Sequence, residues 1–145
     1  MPFKGFDALD SRRGSQDGAW LTLKDPRDNS SPLVIDGEEL RVLVAGPDST
    51  VYSRYVAQQG KRLAALDAAG GDDGPDAEKV RQALAETAAP LALDWQGFRE
   101  DDGTPSPCRT ERVIELFAGW PWARVQVENF AGTRRNFLPK RAGTS

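Results

Sequence analysis

The chain has no histidine among its 145 residues and a single cysteine, Cys108. Without imidazole it cannot build a Ser-His-Asp triad, a Cys-His dyad or a histidine metal site. One thiol forms no internal disulfide and cannot by itself hold a structural zinc, and both scarcities fit a reducing cytoplasm. No apolar run approaches the roughly 18 residues of a membrane span, and the opening residues lack the basic–apolar–small order of a secretory signal, so neither is expected. Hydrophobic residues make up 39% of the chain, beside 14 Gly and 10 Pro. That composition predicts a modest core with long connections, and the length suits one domain.

Charge is unevenly placed. The net charge is −3, but residues 1–108 carry −7 and residues 109–145 carry +4. A basic end can meet an acidic partner or nucleic acid. Here Arg134, Arg135, Lys140 and Arg141 are few for a phosphate-tracking surface, and no nucleic-acid-binding signature accompanies them, so no nucleic-acid partner is expected.

Residues 1–18 read as a loosely held arm, with Phe3, Phe6 and Leu9 recurring at threes. Residues 19–24 alternate in the manner of a strand bearing Trp20. Residues 33–45 read as a hairpin about Asp36-Gly37, a dipeptide suited to the positive φ of a tight turn. Together these predict a β-meander over 19–47 with one face under helices. The helical part occupies 48–138. Asp48 or Ser49 caps a first helix, with Tyr52, Tyr55, Val56, Leu63 and Leu66 as its stripe and a stop near Gly70-Gly71. Its glycine junction lacks the phosphate-loop pattern, because Gly60-Lys61 lies inside the helix and Arg62 comes next. Residues 70–75 read as a solvated linker, not a calcium loop.

A second helix from about Asp76 carries Val80, Ala83, Leu84, Thr87 and Ala88 on one face and ends near Ala89 before Pro90, with a further turn over 91–95. Residues 98–107 read as unstructured. Ser106-Pro107 then opens a helix with Val113, Ile114, Leu116 and Phe117 inward. Gly119 and Pro121 stop it and start a last helix over 122–131, whose expected inner residues are Trp122, Val125 and Phe130. Phe137 and Leu138 anchor the ending, and 139–145 is a basic tail. The fold class is α+β: a small N-terminal antiparallel meander followed by a C-terminal bundle of about four helices.

The order of short motifs in the second half carries a resemblance. Leu93-Asp94-Trp95-Gln96-Gly97-Phe98 leads to the acidic turn Glu100-Asp101-Asp102-Gly103, and Ser106-Pro107 precedes a helix containing Glu111. Trp120-Pro121-Trp122 opens the next helix, and Arg135-Asn136-Phe137-Leu138 closes the series. With the Trp20 strand, the Asp36-Gly37 hairpin and the Ala45 to Tyr52 stretch, this succession over roughly 17–138 resembles the small tail-assembly chaperones of long-tailed bacteriophages and prophages. The chain departs from the family pattern at Arg112, where an Asn is frequent, and at Pro90, which interrupts a helix.

The resemblance implies a protein made in the cytoplasm of the infected or lysogenic host. It implies binding to the tape-measure protein, which is kept soluble while tail-tube subunits are recruited, and no catalysis and no cofactor. The tail-tube protein is addressed indirectly or through a longer frameshifted form, and this chain would be the short form. Self-association suits the coating of a long rod. A holdase needs apolar and aromatic surface, worth about 25 cal/mol per Å² buried. Trp95, Phe98, Trp120, Trp122, Phe130 and Phe137 are the candidates for partner contact, although the same rings suit the domain's own core. Trp120 and Trp122 lead, because a Gly-Trp-Pro-Trp corner does not easily turn both indoles inward.

Two other readings remain: a virion structural protein, such as a minor tail or connector subunit retained in the particle, and a magnesium enzyme using Asp94, Glu100, Asp101 and Asp102. The last four sit close in sequence on one loop, where carboxylates are usually solvated.

Overall fold

A computed structural model describes residues 3–74 and 76–139. In chain order its strands are β1 (Ala19–Thr22), β2 (Val34–Ile35), β3 (Glu38–Glu39), β4 (Arg41–Val44) and β5 (Ala92–Gln96). Its α-helices are α1 (Arg12–Asp17), α2 (Thr50–Gly70), α3 (Ala77–Ala88), α4 (Thr110–Gly119) and α5 (Pro121–Ala131). Mixed α and β structure with small antiparallel sheets is as expected.

The strand order differs from a sequential meander. The main sheet runs β1-β4-β5, and β2 and β3 pair only with each other. Asp36 and Gly37 do adopt the positive φ of a tight turn, 52° and 80°. The turn closes a two-residue ribbon, however, because the chain crosses itself at three buried leucines. The Leu23 N–H donates to the Leu40 carbonyl at 2.9 Å, Leu33 to Leu23 at 2.7 Å and Leu40 to Leu33 at 3.1 Å. This junction leaves β1 free to pair directly with β4, Leu21 opposite Val42 and Ala19 opposite Val44.

Residues 92–96 form a strand in place of the expected helical turn. Once Pro90 has ended the helix, in a 3₁₀ turn over Ala89–Leu91, the open edge of β4 supplies backbone partners for the segment beyond it. Trp95 then falls opposite Val42, on the face that the helices cover. A register shift at Leu43/Val44 leaves Leu93 unpaired.

Local chemistry sets most helix ends. The Ser49 side chain accepts from the Tyr52 N–H at 3.0 Å, and Asp76 accepts from Glu78 at 2.8 Å. Pro121 takes the first position of α5. α4 begins later than Ser106-Pro107 predicts. Ser106 is committed elsewhere, its N–H donating to Phe98 and its carbonyl accepting from the Trp95 indole, so the helix starts at Thr110 without a side-chain cap.

The core joins Val42 and Val44 of the sheet to Leu91, Val113, Phe117 and Val127. α3 lies against α2, α4 and α5. The buried stripe of α5 is Ala123, Val127 and Ala131, not the larger Trp122, Val125 and Phe130. Alanines at that spacing let the helices approach closely, which turns Val125 out to solvent and leaves Trp122 and Phe130 half-buried. In α2 only Tyr55 is buried, while Val56 and Leu63 face outward.

Much of the expected arm is built into the fold. α1 packs on the 3₁₀ turn Arg134–Phe137, and a Cβ on Gly14 would lie 2.0 Å from the Phe137 carbonyl oxygen. Ser15 is fully buried, its carbonyl accepting from Gly46 at 2.9 Å. Arg134 then closes the ring of contacts on Asp48, at 2.9 and 3.1 Å. The exposed segment 3–9, with Phe3, Phe6 and Leu9, stands outside it. Residues 140–145 of the expected basic tail lie outside the described residues, as do 1, 2 and 75. Among the described residues no helix is long and apolar enough to cross a membrane.

Candidate functional site

The Trp95-to-Phe98 stretch builds one wall of a groove. Trp95 is 8% exposed, and its indole N–H donates to the Ser106 carbonyl at 2.7 Å. Gly97 has φ 88°, and a Cβ there would lie 2.5 Å from the Glu39 carbonyl oxygen. Only glycine meets both conditions. The resulting bend lays Phe98 on Trp95, ring centroids 4.2 Å apart and planes 22° from parallel.

Residues 98–106, expected to be unstructured, are a short hairpin. Ser106 donates to Phe98 at 2.9 Å and Glu100 to Thr104 at 2.8 Å, with Gly103 at the tip in the left-handed region. The Asp102 carboxylate accepts from the Thr104 N–H and hydroxyl at 3.0 and 2.6 Å, which holds it below its ordinary pKa. This carboxylate serves the turn.

The opposite wall is the corner between α4 and α5. Trp120 ends one helix and precedes the other with φ −131° and ψ 77°. That extended geometry throws its indole outward, 53% exposed, while Trp122 half-buries against the core. The three-leucine junction and Ile35 of the β2–β3 ribbon complete a groove of about 910 Å³.

Salt links hold the walls in place. Arg99 of the hairpin pairs with Glu38 of β3. Arg112 of α4 reaches Glu100 at 2.5 Å and Glu115 at 2.6 Å. The Ser106 hydroxyl and the Arg112 guanidinium lower the Glu100 pKa. Arg27 pairs with Asp25 at 2.5 Å. All three arginines of the rim are thus engaged, whereas Asp36 and Asp101 have no ion-pair partner among the described residues. The spare charge of the groove is negative.

The six aromatic candidates divide by place. Trp95, Phe98, Trp120 and Trp122 converge on the groove. Trp95 shapes its wall from within and offers little ring surface. Phe130 and Phe137 pair edge-to-face at 5.6 Å elsewhere, at the α1 contact. Phe137 is 3% exposed and fills the space that Gly14 and Gly46 leave open. Nothing in the sequence points to Leu23, Leu33, Leu40 and Ile35 as lining. Their meeting depends on the crossing of residues 23–40, for which the Asp36-Gly37 turn is the only local sign.

The remaining chemistry is sparse. The Cys108 thiol is pushed up by burial and by Asp94, which favours the unreactive protonated form. Among the described residues no three carboxylate or thiol groups converge as metal ligands. Asp94 lies opposite Leu43, whose other neighbour is the exposed Trp20, on the sheet face away from the helices. A shallower cleft of about 500 Å³ between α2 and α3 is crossed by the Arg62–Glu86 pair at 3.7 Å. Compared with family models, with characterised proteins and with solved structures, the chain matches none.

Proposed function

We propose that this chain is a non-enzymatic tail-assembly chaperone of a long-tailed bacteriophage or prophage. It acts in the cytoplasm of the bacterial host, binds the tape-measure protein and keeps it soluble while tail-tube subunits are recruited. α2 to α5 are read as the bundle of about four helices that the sequence pattern predicts.

The observation that carries this reading is the groove. Its walls offer Phe98, Trp120 and Trp122 beside the exposed Ile35, and an α-helix of about 10 Å diameter is the natural occupant of such a surface. Water is displaced from aromatic surface when an apolar helix face lies down on it, and no bond need be made or broken. The three engaged arginines fix the walls without adding charge that would oppose an apolar partner. At the chain's basic end Arg134 is taken up by Asp48, which argues against a phosphate-binding role for it.

Co-expression tests the reading. The tape-measure protein of the same phage or prophage is expected in the soluble fraction with this chain and in the pellet without it. Equal solubility in both refutes the proposal. Mass spectrometry of purified particles separates it from a virion structural protein: abundant peptides of this chain in mature tails would favour the latter.

A further inference from the structure

The groove is charged as well as apolar, and its surplus has one sign. Five carboxylates and three guanidiniums line it, with no lysine, a balance of −2. None of the three guanidiniums is free to meet a partner. Asp25 holds Arg27, and Arg99 is held by Glu38 and by the Gly103 carbonyl at 2.9 Å. Arg112 is shared between Glu100 and Glu115, which leaves one carboxylate of that pair in excess. We infer that the groove takes an amphipathic α-helix whose apolar stripe is flanked by lysine or arginine. The inference rests on the helix-binding reading of the groove and adds the chemistry of the helix it selects.

The surplus stands on both rims. Asp36 is at the tip of the β2–β3 ribbon and Asp101 near the tip of the 98–106 hairpin, and the Arg99–Glu38 pair ties those two elements together. Glu115 stands on α4 in the opposite wall, its side chain 61% exposed. Between them lie Phe98, Trp120 and Trp122. A helix that sets its apolar stripe on these rings brings the residues beside the stripe to the two rims.

Lysine and arginine suit that position in two ways. Their methylene stems lie along the rings while the charged heads reach the rim carboxylates. The exposed Trp120 indole also attracts a cation over its face. A glutamate in the same place meets like charge, and to pair with it an arginine must first leave the carboxylate it holds. The balance of −7 over residues 1–108 extends the same sign beyond the rim and steers a cationic helix inward at low ionic strength. One exposed ion pair changes affinity by a factor of about 1.5–5, so Asp36, Asp101 and Glu115 together give a preference of about tenfold.

Two synthetic helical peptides test this, with the same leucine and alanine stripe and either lysine or glutamate beside it. Anisotropy of the labelled peptide, titrated with the full chain, reads Kd at about 10 mM and about 1 M salt, where the Debye length is about 30 Å and about 3 Å. The lysine peptide should bind about tenfold more tightly at low salt, and the ratio should shrink to about twofold at high salt. Asp36→Asn/Asp101→Asn keeps the shape of both side chains, and Asn tolerates the φ of 52° at position 36. That variant should keep the parent's circular dichroism and lose the preference about fivefold, two of the three pairs being gone. Equal Kd for the two peptides, tighter binding of the glutamate peptide, or a lysine preference untouched by Asp36→Asn/Asp101→Asn overturns the inference and leaves helix binding by the groove standing. Binding that appears only after Phe3→Ser/Phe6→Ser gives the groove to segment 3–9 instead and overturns it too. No binding by either folded form overturns helix docking along with it.

Discussion

Replacing Gly97 by alanine tests how the groove wall is held. Two effects add at this position. The left-handed backbone at φ 88° costs an L-residue about 1–2 kcal/mol. The new Cβ would also lie 2.5 Å from the Glu39 carbonyl oxygen and 3.0 Å from a Leu40 methyl. Ordinary C···O contact is about 3.3 Å, so β3 or the hairpin must shift, and such overpacking costs about 1–3 kcal/mol. The sum is about 2–5 kcal/mol, against a stability on the order of 5–15 kcal/mol for a domain. Gly103 supplies the control, since it has φ 89° with nothing within 4 Å of a Cβ. Gly103→Ala should show the backbone effect alone. Urea unfolding followed by tryptophan fluorescence reads both: with a slope of about 2 kcal/mol/M, Gly97→Ala should move the midpoint down by about 1–2.5 M and Gly103→Ala by about 0.5–1 M. Equal shifts in the two variants would refute the close contact between Gly97 and Glu39.

The same geometry makes three further outcomes testable. Trp95→Ala should lose about 3–5 kcal/mol in urea unfolding, since it empties a core site, unstacks Phe98 and deprives the Ser106 carbonyl of its donor; a loss below about 1 kcal/mol would contradict its placement. Trp120→Ala should lose less than about 1 kcal/mol in the same experiment, because its indole is more than half exposed. The Arg134 guanidinium and the Ser11 hydroxyl hold the Asp48 carboxyl below its usual range. The ion pair therefore adds stability that is complete above the unfolded value of about 3.9 and fades as pH falls through the lowered folded value. Thermal melts of the parent and Asp48→Asn should differ at about pH 7 and converge near pH 2, and a gap that stays constant across that range would refute the linkage.

Features set by neighbours in sequence are legible. Ser49 as a cap, Asp36-Gly37 as a tight turn, Pro121 as the start of α5 and Phe137 as an anchor each come from chemistry within a few residues. The illegible features require distant partners. β5 reads as a helical turn because nothing in residues 91–95 announces the open edge of β4. Ser106 reads as a cap because its bonds to Phe98 and the Trp95 indole span eight and eleven positions. Val125 reads as inward because a large apolar residue normally outranks an alanine, yet close helix packing selects Ala123, Val127 and Ala131. The site obeys the same division. Trp120 and Trp122 are legible from their Pro-flanked corner, whereas the leucine floor exists only after the chain has crossed itself.

The central claim is that an exposed indole beside this groove does the work of recognition, and a binding titration with the tape-measure protein tests it most directly. Trp120→Ala should keep the parent's circular dichroism while its Kd weakens by about 30-fold, the loss of an interface anchor worth roughly 2 kcal/mol. An unchanged Kd in the folded variant would contradict the account.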